Sequence, residues 1–167
     1  MGYPQTGSSR STVVPYPTEN VDSSKHQQHD EEAVQRALDV ARIAVENRAL
    51  DVRVLNVGPQ TSIAEYFVIA SGTSERHVQG LSDKIRAEMK KSGEQSYSSL
   101  SGYENAEWII LDLGDVVAHI FYEPVRHYYN LDEVWKNSEE IPLGEELEEQ
   151  SRKLRTGIFP LPGSHER

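Results

Sequence analysis

The sequence of 167 residues contains no cysteine, which excludes disulfide staples, thiolate metal sites and cysteine nucleophiles. It has no apolar run near the roughly 18 residues of a membrane span, and its N-terminus lacks the basic and apolar regions of a signal peptide. Positive charge is scarce: 17 Lys and Arg against 27 Asp and Glu leave a formal net charge of −10, which disfavours nucleic-acid binding through a broad basic face. The shortage is local. Residues 94–150 carry 14 acids with only Arg126 and Lys136 as bases, whereas residues 1–93 hold 12 acids and 11 bases and residues 151–167 are net basic. Such asymmetry points to a partner, or else to solubility and an acidic tail. These absences leave a reduced, cytoplasmic, one-domain protein with chain enough to bury a core.

Residues 1–29 are rich in Ser, Thr, Pro, Gln and Gly without apolar periodicity, and read as a disordered extension. His26 and His29 lie there without further ligands and make no metal site. A helix is predicted from near Asp30 to about Asn47, with Val34, Ala37, Leu38, Ala41 and Val45 at helical spacing. Val52 to Val57 reads as a strand, and the continuously apolar Tyr66–Ala70 as a central strand covered on both faces. Hydroxyls of Ser71-Gly72-Thr73-Ser74 can cap a second helix that turns Val78, Leu81, Ile85 and Met89 inward and stops at Gly93. A weak strand near Tyr97–Leu100 precedes a hairpin, Trp108–Leu113 and Val116–Phe121, across Gly114-Asp115. Glu123-Pro124 opens a short helical segment. Residues 137–167 form a largely disordered acidic tail. The expected domain, 30–136, is a small α/β sandwich on a mixed, roughly five-stranded sheet.

The two-residue turn fixes the hairpin register. Leu113 faces Val116, Leu111 faces Ala118 and Ile109 faces Ile120, an apolar core side. The other side pairs Asp112 with Val117, Ile110 with His119, and Trp108 with Phe121. Aromatics beside a carboxylate and a histidine resemble an interface core; the alternative is a second helix layer that satisfies His119 and Asp112 internally. Asp112, Asp115 and His119 also invite an acid–base or metal reading. The nucleotidyltransferase pattern, however, needs a Gly-Ser turn and two strand carboxylates two apart, whereas here Ser71-Gly72 is reversed and the carboxylates straddle Gly114. No Walker loop or GxGxxG occurs. Ser74 and His77, one helical turn apart, are better explained as a cap and a surface histidine than as a dyad.

The run Ser62–Val78, with Tyr66-Phe67-Val68-Ile69 and Ser71-Gly72-Thr73-Ser74, resembles the SIADYFVIxSGTSxRQV signature of the ribosomal silencing factors, the RsfS or Iojap family. Gly102-Tyr103-Glu104, Trp108, Leu111–Phe121 and Tyr128–Trp135 resemble its GY, W, LDYGDVVVHIF and FYNLExLW elements. Glu65 and His77 stand where the family has aspartate and glutamine. The resemblance spans about residues 31–136. It implies a nucleotidyltransferase-like fold without the catalytic carboxylates and a translational repressor without enzymatic activity or cofactor. It further implies binding to the large ribosomal subunit through ribosomal protein L-fourteen, which blocks subunit joining, and a homodimer when free. The partner-binding candidates are Trp108, Ile110, Asp112, Asp115, His119, Phe121, Glu123 and Tyr129; no direct sequence-specific nucleic-acid binding is expected. The alternative from another class is a nucleotidyltransferase-like nucleotide-binding enzyme.

Overall fold

The computed structural model describes residues 23–92 and 98–156. The chain divides into two compact units, Met1–Glu32 and Ala33–Arg167; the described part of the first is the opening of one helix, and the second unit holds the remaining elements. Helix α1 spans Ser23–Glu46, starting seven residues before the expected Asp30. Ala33, Ala37, Ala41 and Ala44 recur along its buried stripe, small side chains that let the helix approach the sheet closely. It ends where Arg48 takes a left-handed conformation and Asn47 Nδ2 donates to Ile43 O.

Strands β1 (Leu50–Asn56) and β2 (Tyr66–Gly72) run antiparallel, and every residue of β2 is buried, as its unbroken apolar run requires. Helix α2 (Glu75–Lys91) follows, capped by Ser74 Oγ, which accepts from the His77 N–H. Strands β3 (Ser99–Ser101), β4 (Trp108–Asp112) and β5 (Val116–Tyr122) form an antiparallel meander, and β5 returns parallel to β2. The β4–β5 register pairs Trp108 with Phe121, Ile110 with His119 and Asp112 with Val117, as the two-residue turn dictates. Helices α3 (Glu123–Tyr129) and α4 (Leu131–Val134) meet at Asn130, which is left-handed.

The expected disordered tail does not hold over residues 139–156. Strand β6 (Glu139–Ile141) pairs antiparallel with β1, and helix α5 (Glu145–Thr156) buries Leu154 in the main core. The sheet therefore has six strands, in the order β3-β4-β5-β2-β1-β6, with β2 and β5 as its one parallel pair. A strand of sequence Glu-Glu-Ile has no intrinsic strand signal; the free edge of β1 supplies the pairing that holds it. The expectations for residues 1–22, for Gly93 and Tyr97, and for 157–167 lie outside the described residues.

The two sheet faces are covered unequally. Val54, Val68, Ile109, Leu111 and Ile120 face a large core with side chains of α1, α2 and α5. Leu55, Phe67, Ile69, Val117 and Phe121 face the other way into a smaller core, against which the partly buried Trp108, Ile110, Leu131 and Trp135 pack. Two glycines test this packing. Gly102 has φ +78°, and a Cβ there would stand 2.2 Å from Trp108 O, whereas a Cβ at Gly80, inside α2, would meet nothing within 4 Å. Gly102→Ala should lower stability by at least ~1–3 kcal/mol, and Gly80→Ala should raise it by about 0.5–1 kcal/mol. Urea unfolding midpoints of the two variants check both signs.

Candidate functional site

Strand alternation sends Trp108, Ile110 and Asp112 of β4 and Val117, His119 and Phe121 of β5 to the thinly covered face. Trp108 stacks on Phe121, ring centroids 5.1 Å apart, and Tyr129 lies 4.8 Å from Trp108, with Tyr128 edge-on to Tyr129 at 5.2 Å. Phe67 meets His119 at 4.4 Å and Trp135 at 5.0 Å. One row of rings thus runs across β2, β4, β5 and the α3–α4 segment. Its floor is inaccessible, because Phe121 and His119 are buried. Its rim is open at Tyr128, which is 81% exposed, and Val134, next in sequence to Trp135, is 68% exposed.

The expected site residues fall into three groups. Trp108, Ile110, His119, Phe121 and Tyr129 come together in this face. Asp112 lies on the same face but spends a carboxylate oxygen on the Gly114 N–H at 2.9 Å, which shapes the turn. Asp115 and Glu123 flank opposite ends of the seven-residue β5, about 26 Å apart by strand rise, and cannot serve one contact point. Asp115 pairs with Arg36 of α1, and its carbonyl accepts from the Glu65 and Tyr66 N–H groups. Glu123 accepts from Arg155 of α5 at 2.8 Å. Phe67, Trp135 and Tyr128 were not among the expected residues. Phe67 sits in a strand apolar on both faces, where alternation gives no signal.

Trp108 Nε1–H donates to His119 Nδ1 at 3.1 Å, which assigns the imidazole proton to Nε2; that atom is buried without a hydrogen-bond partner among the described residues. Burial pushes the His119 pKa down from 6.5 to about 4. The unfolded chain therefore takes up this proton in a range where the folded chain resists it. The stabilising contribution is complete above pH 6.5 and is lost as pH falls toward 4.

At the carboxyl ends of β2 and β5 lies a cleft of about 510 Å³. Arg126, nearly fully buried there, donates to both oxygens of Asp132 at 2.9 Å, to Asp51 O at 2.8 Å and to Ser71 Oγ at 2.9 Å. Hydrogen bonding from Arg126, reinforced by Arg53, holds the Asp132 carboxyl down at about 2. Arg53 joins Asp132 to Glu140 of β6, and Arg155 joins Asp51 to Glu123. Each guanidinium is already covered by a carboxylate.

Catalytic pairings do not assemble from the expected residues. The Asp112 and Asp115 carboxylates point to different partners, and neither bonds His119. Ser74 Oγ accepts from the backbone of His77, while the His77 ring takes the Thr73 N–H on Nδ1 at 2.9 Å and faces Asn47 O through Nε2 at 2.8 Å. Among the described residues no three His, Asp or Glu converge as a metal site, and no helix is long and apolar enough to cross a membrane.

Fold and face together define a small mixed α/β domain whose distinctive surface is an aromatic sheet face. The family model described as "Ribosomal silencing factor during starvation" matches residues 30–157. The chain belongs to the ribosomal silencing factor family. It is 36% identical over 110 residues to the ribosomal silencing factor RsfS of Halalkalibacterium halodurans, covering 65% of this chain and 93% of that protein. It is 33% identical over 145 residues to the chloroplastic protein Iojap of Arabidopsis thaliana, covering 86% of this chain and 57% of that one. A crystal structure from Bacillus halodurans superposes with a TM-score of 0.55 at 31% identity, over 67% of this chain and 98% of that one.

Two outcomes follow from the site. Arg126→Met should cost about 3 kcal/mol, the low end for breaking a buried ion pair because Asp132 keeps some water; chemical denaturation measures it. Lowering pH from 7.5 to 4.5 should destabilise the parent chain more than His119→Gln, and equal losses in both would show that His119 is not the group responsible.

Proposed function

We propose that the chain binds the large ribosomal subunit through ribosomal protein L-fourteen and so blocks subunit joining by steric occlusion. The observation that carries this reading is the aromatic row on the thinly covered sheet face, open at Tyr128, with Val134, next in sequence to Trp135, also exposed. Aromatic side chains on a rigid support bury much area at little entropic cost and are enriched among interface anchors. Membership of a family named for silencing ribosomes supplies the class of partner. No chemical step is required, since an interface of roughly 1,200–2,000 Å² is enough to exclude a competing subunit.

Trp108 and Tyr129 present their outer surfaces in this scheme, and Phe121 supports them from beneath. Asp112 adds charge at the edge of the face, and the acidic residues of the second half steer the chain toward a basic protein and away from phosphates. The action is non-enzymatic and takes place in the cytoplasm. In the free state a second copy covers the same face as a homodimer, which the ribosomal partner displaces.

Co-sedimentation with isolated large subunits tests the reading. The parent chain should comigrate and lower the yield of assembled ribosomes. Tyr128→Asp and Val134→Asp should each weaken comigration about tenfold or more, by ~1–2 kcal/mol, with thermal unfolding unchanged because both side chains are exposed. No comigration of the parent at low salt would overturn the proposal.

A further inference from the structure

Among the described residues, most of the chain's cations are engaged in ion pairs. Arg36, Arg42, Arg53, Lys84, Arg126, Lys136, Arg152, Lys153 and Arg155 each pair with a carboxylate. Among the described residues, Arg76, Arg86, Lys90 and Lys91 have no ion pair or side-chain hydrogen bond, and all four are exposed on α2. That helix carries five bases and three acids in a chain of net charge −10. Of the acids, Asp83 accepts from the Tyr103 hydroxyl, and Glu88 lies 3.8 Å from Lys84.

The face α2 turns outward is geometrically plain. Val78, Leu81, Ser82, Ile85 and Met89 form its buried stripe, so Arg76, Gly80, Asp83, Ala87, Lys90 and Lys91 lie on the far side at helical spacing, with Arg86 on one flank and Asp83 the one acid among them. From Arg76 to Lys91 the ridge runs about 22 Å, at 1.5 Å per residue. Side chains of α2 enter the main core, on the sheet face opposite the aromatic row.

We propose that this ridge contacts the phosphate backbone of RNA without reading its sequence. Phosphates repeat along a strand and match a line of long, unpaired cations. At about 0.1 M salt the Debye length is ~10 Å, so a phosphate at the ridge feels these cations more than acids farther around the molecule. An anionic membrane would also attract them, but membrane-surface helices set large apolar residues beside the cations. Among the described residues, the exposed large hydrophobic ones are Ile63, Tyr128, Tyr129 and Val134, none of them on α2. The class of partner rests on the ribosomal reading above; the contact itself does not use the aromatic face.

Fluorescence anisotropy of a labelled 20-base-pair RNA duplex, titrated with the full chain, tests the contact. Binding should appear at 50 mM salt and weaken with a log–log slope of about −3, as expected for three to four neutralised phosphates. The combined variant Arg86→Gln, Lys90→Gln, Lys91→Gln should lose at least tenfold in affinity and most of the slope. The control Lys136→Gln, Arg152→Gln, Lys153→Gln changes net charge equally at paired positions and should bind as the parent does. Val134→Asp should also retain RNA binding, which separates a failure of this contact from a failure of the docking face. No binding by the parent, or equal loss in both triple variants, would overturn the proposal. So would binding to vesicles of 70% phosphatidylcholine and 30% phosphatidylglycerol without binding to RNA.

Discussion

A guanidinium buried at the ends of two strands is expensive unless every donor finds an acceptor, and the position of the second layer depends on how Arg126 meets that requirement. Arg126 stands in α3 and Asp132 in α4, six residues on, with left-handed Asn130 between them. Their bidentate pair closes the bend between the two short helices. The remaining bonds, to Ser71 Oγ and Asp51 O, fasten that bend to β2 and β1. Neither helix is long enough to be stable by itself. Tyr129 can lie over Trp108, and Trp135 over Phe67, because this polar anchor fixes the segment that carries them. The outer ion pairs, Arg53 with Glu140 and Arg155 with Asp51 and Glu123, extend the same set to β6 and α5. Their exposed partners make each worth at most about 1 kcal/mol.

The consequence is a sheet with one thick cover and one thin one. On the thick side, three helices bury a continuous aliphatic surface. On the thin side, two helices of seven and four residues leave half-buried rings at the boundary with water. A single polar contact, Trp108 Nε1–H to His119 Nδ1, lies between the rings and the strands. It orients the indole and leaves His119 Nε2, in an apolar setting, unpartnered among the described residues, a cost that a purely structural core would avoid with an aliphatic residue at this position.

What the sequence disclosed and what it hid divide along physical lines. The hairpin register, the fully buried β2 and the capped α2 were legible because each is set by local rules: turn length, apolar continuity, and a serine before a helix. The family motifs were legible for the same reason, since they are contiguous. Strand β6 and helix α5 were not legible. Glu139-Glu140-Ile141 becomes a strand only by pairing with the edge of β1, and α5 is mostly glutamate and arginine around one buried leucine. Arg126 could be read only as a base in an acidic stretch. Its partners Ser71 and Asp51 are 55 and 75 residues away, and no periodicity reports such contacts. Asp115 and Glu123 entered the candidate site as charges near the hairpin, and only the fold shows that Arg36 and Arg155 occupy them.

Charge therefore means something different here once partners are assigned. The acidic stretch 94–150 suggested a negative surface awaiting a basic protein, yet about half of its 14 carboxylates are employed within the fold. Asp112 shapes a turn, Asp115, Glu123, Asp132 and Glu140 hold arginines, and Glu133 and Glu149 pair along the chain with Lys136 and Arg152. A carboxylate paired in this way still contributes to the distant field but offers little to a specific contact. Among the described residues, Arg76, Arg86, Lys90 and Lys91 of α2 are cations left unspent, invisible in a total of −10 because the excess acids outnumber them. Net charge thus sets how the molecule approaches a partner from afar, and pairing decides which side chains remain free to touch it. By that criterion the proposed docking face is aromatic rather than acidic, and the α2 cations proposed to meet phosphates lie on the other side of the sheet.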